Sequence, residues 1–496
     1  MLLAAVAAGC GDARRPGYAV SPISSASSMT SGVAPGSAGP VAADTPGSGR
    51  VTAPVPLSLV GPDGRPAPAS LAGSPTAPDR DPVDPKQGFE LTTDAWVGFS
   101  PGVSVVDLLV TPDQLALTLQ SDGVVRVLDV GGAAIVEVAA FPLKSGLTLT
   151  AGPPRLTLGE RGTVLVPVGE GLAMFSPAAR SEAEVTWLDL SGLTVTWPAG
   201  TRDSAGYDVG GRALPLRGAT AALELGGRLL VTSSNRDGAR HLPGTLAAIP
   251  LEGGVGAARV VATSGFAPTG MARLRTAAGD RVVVTNSGSF GGGGASIDLF
   301  DAATLERLAT IPIDGDPAGP VVFSADGQRG YVGSQSRAAV DVLDLAGKGA
   351  WLGQLQLPST SARNELSQLL LDPLGRLLAV NHYESTLYLL SFGADGATSQ
   401  RLTGFSRSGD PGRLEGLLER VALRRSPDGG VELLALTVEL AAADQVVPGV
   451  SAAIDLVRLP EPAAPEVGGV VAADAVDAAG YEANRSAAGE ASRSLR

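Results

Sequence analysis

Two histidines, His241 and His382, are the only imidazoles in the 496-residue chain. His382 lies in NHYES (Asn381 to Ser385), two positions before Glu384. On a strand, residues two apart project from one face. An imidazole and a carboxylate so placed would make an acid–base pair able to activate water; a plain ion pair is the alternative. His241 closes SSNRDGARH (Ser233 to His241), which carries Asn235, Arg236 and Asp237. A third polar stretch, NSGSFGGGG (Asn286 to Gly294), is rich in glycine but sits between two apolar runs. It does not open a helix, so a phosphate cradle is not expected. Asp314, Asp316, Arg363, Asn364, Glu365, Arg407 and Asp410 fall in further polar segments.

Other chemistries are poorly supplied. Cys10 is the only cysteine, which rules out an internal disulfide and a cysteine-based zinc site. With two histidines, a transition-metal centre is not expected, and no cofactor is expected either. Asp314 and Asp316 suit a solvated turn better than calcium. The formal net charge of −13 argues against nucleic acid as a partner.

The elements that must hold these stretches repeat. Arg228 to Ser233 reads RLLVTS, Arg281 to Asn286 RVVVTN, Arg329 to Ser334 RGYVGS and Arg376 to Asn381 RLLAVN. The arginines are 53, 48 and 47 residues apart, a period that belongs to propeller-like arrays. A second apolar run follows each, as in SIDLFD (Ser296 to Asp301) and AVDVLD (Ala339 to Asp344), and a third in RLATIPI (Arg307 to Ile313). Asp-Gly turns, Asp326-Gly327 and Asp428-Gly429, precede some units and are read as two-residue hairpin turns. Asp298 and Asp341 recur inside these strands, which argues for a structural role. Four strands make one blade, whose two apolar faces are buried only by neighbours in a closed ring.

Residues 283 to 335, VVTNSGSFGGGGASIDLFDAATLERLATIPIDGDPAGPVVFSADGQRGYVGSQ, resemble the YVTN-repeat, lactonase-like β-propeller family. The match is good over 268–350 and weakens toward 364–400. The resemblance implies an all-β propeller. Scaffolds, binding proteins and some enzymes share it, so it speaks to fold more than to activity.

Blades are expected at 101–145, 146–193, 194–268, 269–316, 317–362, 363–412 and 413–460, which makes seven; at this period, ~370 residues would also admit eight. The last blade lacks an outer strand, and FELTTDAWVGF (Phe89 to Phe99) is expected to supply it and close the ring. The polar insert Gly200 to Arg212 breaks the period, either as a decorated loop or as a shifted blade border. In a four-stranded meander, the loop after the second strand and the loop between blades share a face. Asn235, Arg236, Asp237, His241, Asn286, Asp314, Asp316, Glu365, Asn381, His382, Glu384 and Arg407 are therefore nominated as a binding rim at the channel mouth. The 233–241, 286–294 and 381–385 loops are expected to converge there from adjacent repeats.

The chain opens MLLAAVAAGCGD, small residues before a single cysteine, which resembles a bacterial lipobox. That resemblance implies cleavage before Cys10 and lipidation of its thiol. The basic segment of a full signal is missing, so the natural start is expected upstream. Residues 1–10 are read as signal, 11–86 as a disordered Ser/Gly/Pro/Ala linker, 87–462 as the propeller and 463–496 as a disordered tail. The expectation is a monomeric, lipid-anchored protein of a bacterial envelope, at the outer membrane or periplasmic face. It would bind an envelope protein or glycan without turning it over. The alternative is a lactonase-like hydrolase or a dehydrogenase-associated propeller subunit, with Glu365, His241, His382 and Glu384 as candidate groups.

Overall fold

The computed structural model describes residues 48–67, 89–95, 105–132, 134–147, 149, 155–237, 240–289, 293–347, 349–359, 361, 365–373, 375–393, 396–405, 416–425, 431–439 and 452–459. Among them, alternating apolar runs pair with their sequence neighbours as antiparallel meanders, seven in all. Blade 1 consists of Val105–Val110, Leu115–Gln120, Val124–Asp129 and Val136–Pro142. Blade 2 consists of Thr157–Leu158, Val164–Val168, Gly171–Phe175 and Thr186–Asp189. Blade 3 has Ala219–Leu225, Arg228–Ser233, Pro243–Pro250 and Arg259–Phe266. Blade 4 has Pro268–Thr276, Gly279–Ser287, Ala295–Asp301 and Arg307–Pro312. Blade 5 is built from Pro317–Phe323, Arg329–Ser334, Ala339–Asp344 and Ala350–Gln356, and blade 6 from Leu366–Leu371, Leu377–Asn381, Thr386–Gly393 and Gly396–Thr403. In blade 7, Gly416–Arg425, Val431–Glu439 and Ala452–Arg458 take Phe89–Ala95 as the outer strand, with Ile454 opposite Ala95 and Arg458 opposite Glu90. The chain is a seven-bladed all-β propeller closed by Phe89–Ala95, a strand that precedes blade 1 in sequence.

Seven apolar clusters fill the seven seams. Leu117, Val127, Val164 and Phe175 join blades 1 and 2. Leu434, Ile454, Leu128 and Val105 join blade 7 to blade 1, so the ring is complete. Each side chain so buried contributes roughly 1.5–3 kcal/mol relative to an exposed one. A lone blade would leave both faces wet, which is why the repeats are stable only together.

The periodic residues have local work. Asp301 accepts from Ala303 N at 3.0 Å and Thr304 N at 2.7 Å, and Asp344 accepts from Ala346 N at 2.9 Å. Each is an Asx turn that bends the chain from third strand to fourth. The repeated arginine at the start of the second strand stands opposite these aspartates, Arg281 against Asp301 and Arg329 against Asp344. The turn around Asp326-Gly327 is longer than the two-residue form. Gly327 N donates to Ser324 O at 2.8 Å and Ser324 N to Arg329 O at 3.0 Å, giving a four-residue loop. Residues 426–430 lie outside the described residues.

One expectation is corrected and one open alternative is decided. Residues 48–67 are not linker. Val51 and Arg50 pair with Leu402 and Thr403, and Val55 pairs with Ser399, on the outer strand of blade 6. Gly49 pairs with Phe89, and Val60 with Gln354 of blade 5. This strap fuses blades 6 and 7 into one sheet and extends blade 5. Leu57 and Leu59 are buried in the blade 5–6 seam, an apolar anchor hidden in proline-rich text. Gly353, at φ 133°, lets it approach: a Cβ there would stand 2.1 Å from Val60 O. The insert around Gly200 to Arg212 is a decorated loop between blades 2 and 3. Its short sheet pairs Thr194–Thr196 with Ala213–Pro215 and buries Trp197 against both blades.

Candidate functional site

Inner strands meet the inter-blade loops at one end of the channel. There the first strands of blades 1, 6 and 7 slip register near their N-terminal ends, between Val105 and Asp107, Leu366 and Gln368, and Leu418 and Arg420. Such bulges re-aim side chains. Here they bring a charged set together. Arg420 Nε lies 3.3 Å from Asp107 Oδ1, joining blade 7 to blade 1, and Arg420 Nη1 lies 3.4 Å from Glu419 Oε1. Glu419 Oε2 lies 2.8 Å from His382 Nδ1 of blade 6, and both side chains are buried, at 3% and 7% exposure. Asp107 Oδ2 accepts from Leu156 N at 2.6 Å. Arg155, at the entry to blade 2, donates to Ser367 O of blade 6 at 3.4 Å. A Cβ on Gly319 of blade 5 would sit 3.0 Å from the Arg155 Nη2, so the guanidinium reaches from blade 2 to the walls made by blades 5 and 6. Burial pushes the Asp107 carboxyl above its ordinary range, and Arg420 and Arg155 pull it back.

His382 and Glu384 do not form the expected pair. Residues His382–Glu384 make one turn of 3-10 helix, closed by Ser385 at φ 49°, so the two side chains part. Glu384 accepts from Ser359 Oγ at 2.7 Å, Ser361 N at 2.9 Å, Asn381 Nδ2 at 3.2 Å and Tyr388 Oη at 2.6 Å. Burial and Glu384 raise the Tyr388 phenol. Glu384 is thus a hub that fixes the blade 6 loop.

The nominated asparagines are internal pins. Asn235, at φ 50°, donates to Pro243 O and Thr245 Oγ1, both at 3.1 Å, and accepts from Arg217 N at 3.1 Å. Asn286 donates to Ser296 Oγ and Asp298 Oδ2, both at 3.1 Å. Arg236 and Asp237 form a small hairpin with His241 and Arg240. His241 is buried, and burial with the nearby Arg236 lowers its pKa. Asp314 is exposed, Asp316 accepts from Ser334 Oγ at 2.7 Å, and the carbonyl of buried Glu365 accepts from His382 N at 3.0 Å. Cys10, Arg363, Asn364, Arg407 and Asp410 lie outside the described residues. Among the described residues no group of three or more His, Cys, Asp or Glu is placed to hold a metal ion.

The convergence of loops is also corrected. The 233–241 and 286–294 loops belong to adjacent blades 3 and 4, but the 381–385 loop belongs to blade 6, with blade 5 between. Sequence reasoning missed Asp107, Arg155, Glu419 and Arg420. A signal existed for three of them: VVDLLV and GLLERVALRR place charges inside otherwise apolar inner strands, and a charge that is buried needs a partner.

No protein-family model matches this sequence, and no curated protein matches it. Among solved structures, the chain is similar to the β-propeller domain of Myceliophteria thermophila Cps50 (Swd1), at 11% identity and a TM-score of 0.45 over 74% of this chain and 100% of that one. It is also similar to the WD40 β-propeller domain of Doa1, at 11% identity and a TM-score of 0.46 over 75% of this chain and 97% of that one. Neither likeness bears on ligand or chemistry.

Proposed function

We propose that this protein is a non-catalytic binding or scaffold propeller, of the YVTN-repeat, lactonase-like kind, held to a bacterial cell envelope by lipid on Cys10. One observation carries the binding reading: the buried polar groups of the rim are already engaged with the protein. His382 faces Glu419 in a buried pair, and Glu384 receives four hydrogen bonds. A general base must reach the proton it removes, and these groups face inward. What they supply instead is a rigid platform, whose loops need little ordering when a partner docks. The partner class is an envelope protein or glycan, and the chain itself is monomeric.

Replacing the 233–241 and 381–385 loops with short Gly/Ser turns is expected to abolish capture of the partner from envelope extracts, while circular dichroism shows a ring still folded at a melting temperature lowered by loss of the Asn235, His382 and Glu384 contacts. Capture that survives both replacements removes the rim from the proposal. A panel of lactones should show no turnover. Turnover that collapses in His382→Ala would make the hydrolase reading the right one. Labelled palmitate should enter the natural chain but not Cys10→Ala.

A further inference from the structure

The insert between blades 2 and 3 reverses the charge of its surroundings. From residue 200 to 218 and from 235 to 241 the chain carries five arginines (Arg202, Arg212, Arg217, Arg236, Arg240) against three aspartates, in a protein of formal net charge −13. The fold gathers these segments. Ser204 N donates to His241 O and His241 N donates to Ser204 Oγ, each at 2.9 Å, so the insert is stitched to the blade 3 hairpin. Asn235 N donates to Arg217 O at 2.8 Å, which fixes Arg217 beside Arg236. Asp203 is buried, and its Oδ1 accepts from Ala205 N and Tyr207 N at 2.9 Å, so this carboxylate organises the loop from within. Arg202, Arg217 and Arg240 are exposed.

An aromatic ring sits among them. Tyr207 is 59% exposed, and the Arg240 guanidinium lies over its ring, 4.6 Å from the centroid. Tyrosine and arginine are the residues that anchor protein interfaces, and the stack holds Arg240 in place. Arg240 covers one face of the ring, so only the other is open for stacking. Arginine forks match side-chain carboxylates in paired geometry.

We infer that the surface formed by Arg202, Tyr207, Arg217, Arg236 and Arg240 is a docking site for an acidic protein segment, one rich in Asp and Glu. This inference rests on the reading of this face as a binding face and names the chemistry of its partner. The approach is steered by charge and is therefore sensitive to salt.

The test is fluorescence anisotropy with the full chain and a fluorescein-labelled decaglutamate peptide, with an oligogalacturonate competing in a second arm. Saturable binding is expected to weaken as salt rises from about 50 to 300 mM. The Arg202→Glu/Arg240→Glu variant is expected to bind at least about tenfold more weakly, with an unchanged melting temperature. Should that pair perturb folding, Tyr207→Ala and Arg240→Gln carry the same test, with losses of about threefold or more. Equal binding by the folded variants overturns the inference. So does an oligogalacturonate that binds this surface where the peptide does not. Absence of peptide binding while the 233–241 loop still governs partner capture sinks this inference alone and leaves the proposed function standing.

Discussion

Blades 4 and 5 carry the same aspartate at the same place in the third strand, and the two are satisfied very differently. Asp298 of blade 4 accepts from Ser264 N at 2.7 Å, Ser264 Oγ at 2.5 Å, Thr310 Oγ1 at 2.8 Å and Asn286 Nδ2 at 3.1 Å. Asp341 of blade 5 accepts from Gln354 Nε2 at 2.9 Å and Trp351 Nε1 at 3.0 Å, both on Oδ1. Its Oδ2 is buried without a hydrogen-bond partner among the described residues. Where blade 3 offers Ser264 to blade 4, the matching stretch of blade 4 has Pro312 and Ile313, and neither donates to Asp341. Burial accordingly pushes the Asp341 carboxyl up to about 7, against the pull of Gln354 and Trp351. One repeated residue thus serves as a seam lock in one blade and as a half-filled position in the next.

The sharpest way to break this contrast is Asp298→Ala. It leaves several buried donors unsatisfied, so a loss of about 3–5 kcal/mol is expected in urea unfolding. Asp341→Ala should cost clearly less, and equal losses would mean that the two sites do the same work.

Next in size is a pH effect. A carboxyl whose folded pKa is about 7, against 3.8 as the ordinary value, keeps its proton in the fold while the unfolded chain has already lost its own. Stability from this group is therefore fullest below pH 3.8 and declines as pH rises toward 7. Asp341→Asn cannot ionise. Relative to that variant, the natural protein should lose about 2–3 kcal/mol between pH 5 and pH 8, at about 1.4 kcal/mol per pKa unit. Parallel unfolding curves for the two proteins at both pH values would contradict the assignment.

The smallest effect is Ser264→Ala. It removes one hydroxyl donor from Asp298 and spares the backbone one, for about 1 kcal/mol. A loss above that for Asp298→Ala itself would show that the hydroxyl carries the seam alone.

The ring was legible because its cause is local. RLLVTS, RVVVTN and RGYVGS recur at one period, and any strand so apolar on both faces must be covered on both. Phe89–Ala95 could be assigned as the closing strand because blade 7 visibly ran out of strands. The strap at residues 48–67 was not legible. Its anchors, Val51, Leu57 and Leu59, are spread among prolines, and composition averages them away. The rim was half legible. Polar residues could be assigned to strand ends and loops, but spacing cannot tell whether an asparagine looks outward or, like Asn286, back into its own blade. Asp107 meets Arg420 across 313 positions of sequence, a distance over which no local pattern speaks.

The closing strand sets a timetable for synthesis. Ala95 must wait for Ile454, about 360 residues later, before its ladder can form. Until then the outer strand Phe89–Ala95 has no third strand of blade 7 to pair with, and the edges that the ring will hide stay open to other chains. Contacts so remote in sequence form slowly. A nascent chain of this kind is therefore at greatest risk of sticking to its neighbours just before its last strand leaves the ribosome, and truncations that remove that strand should be far less soluble than their small size suggests.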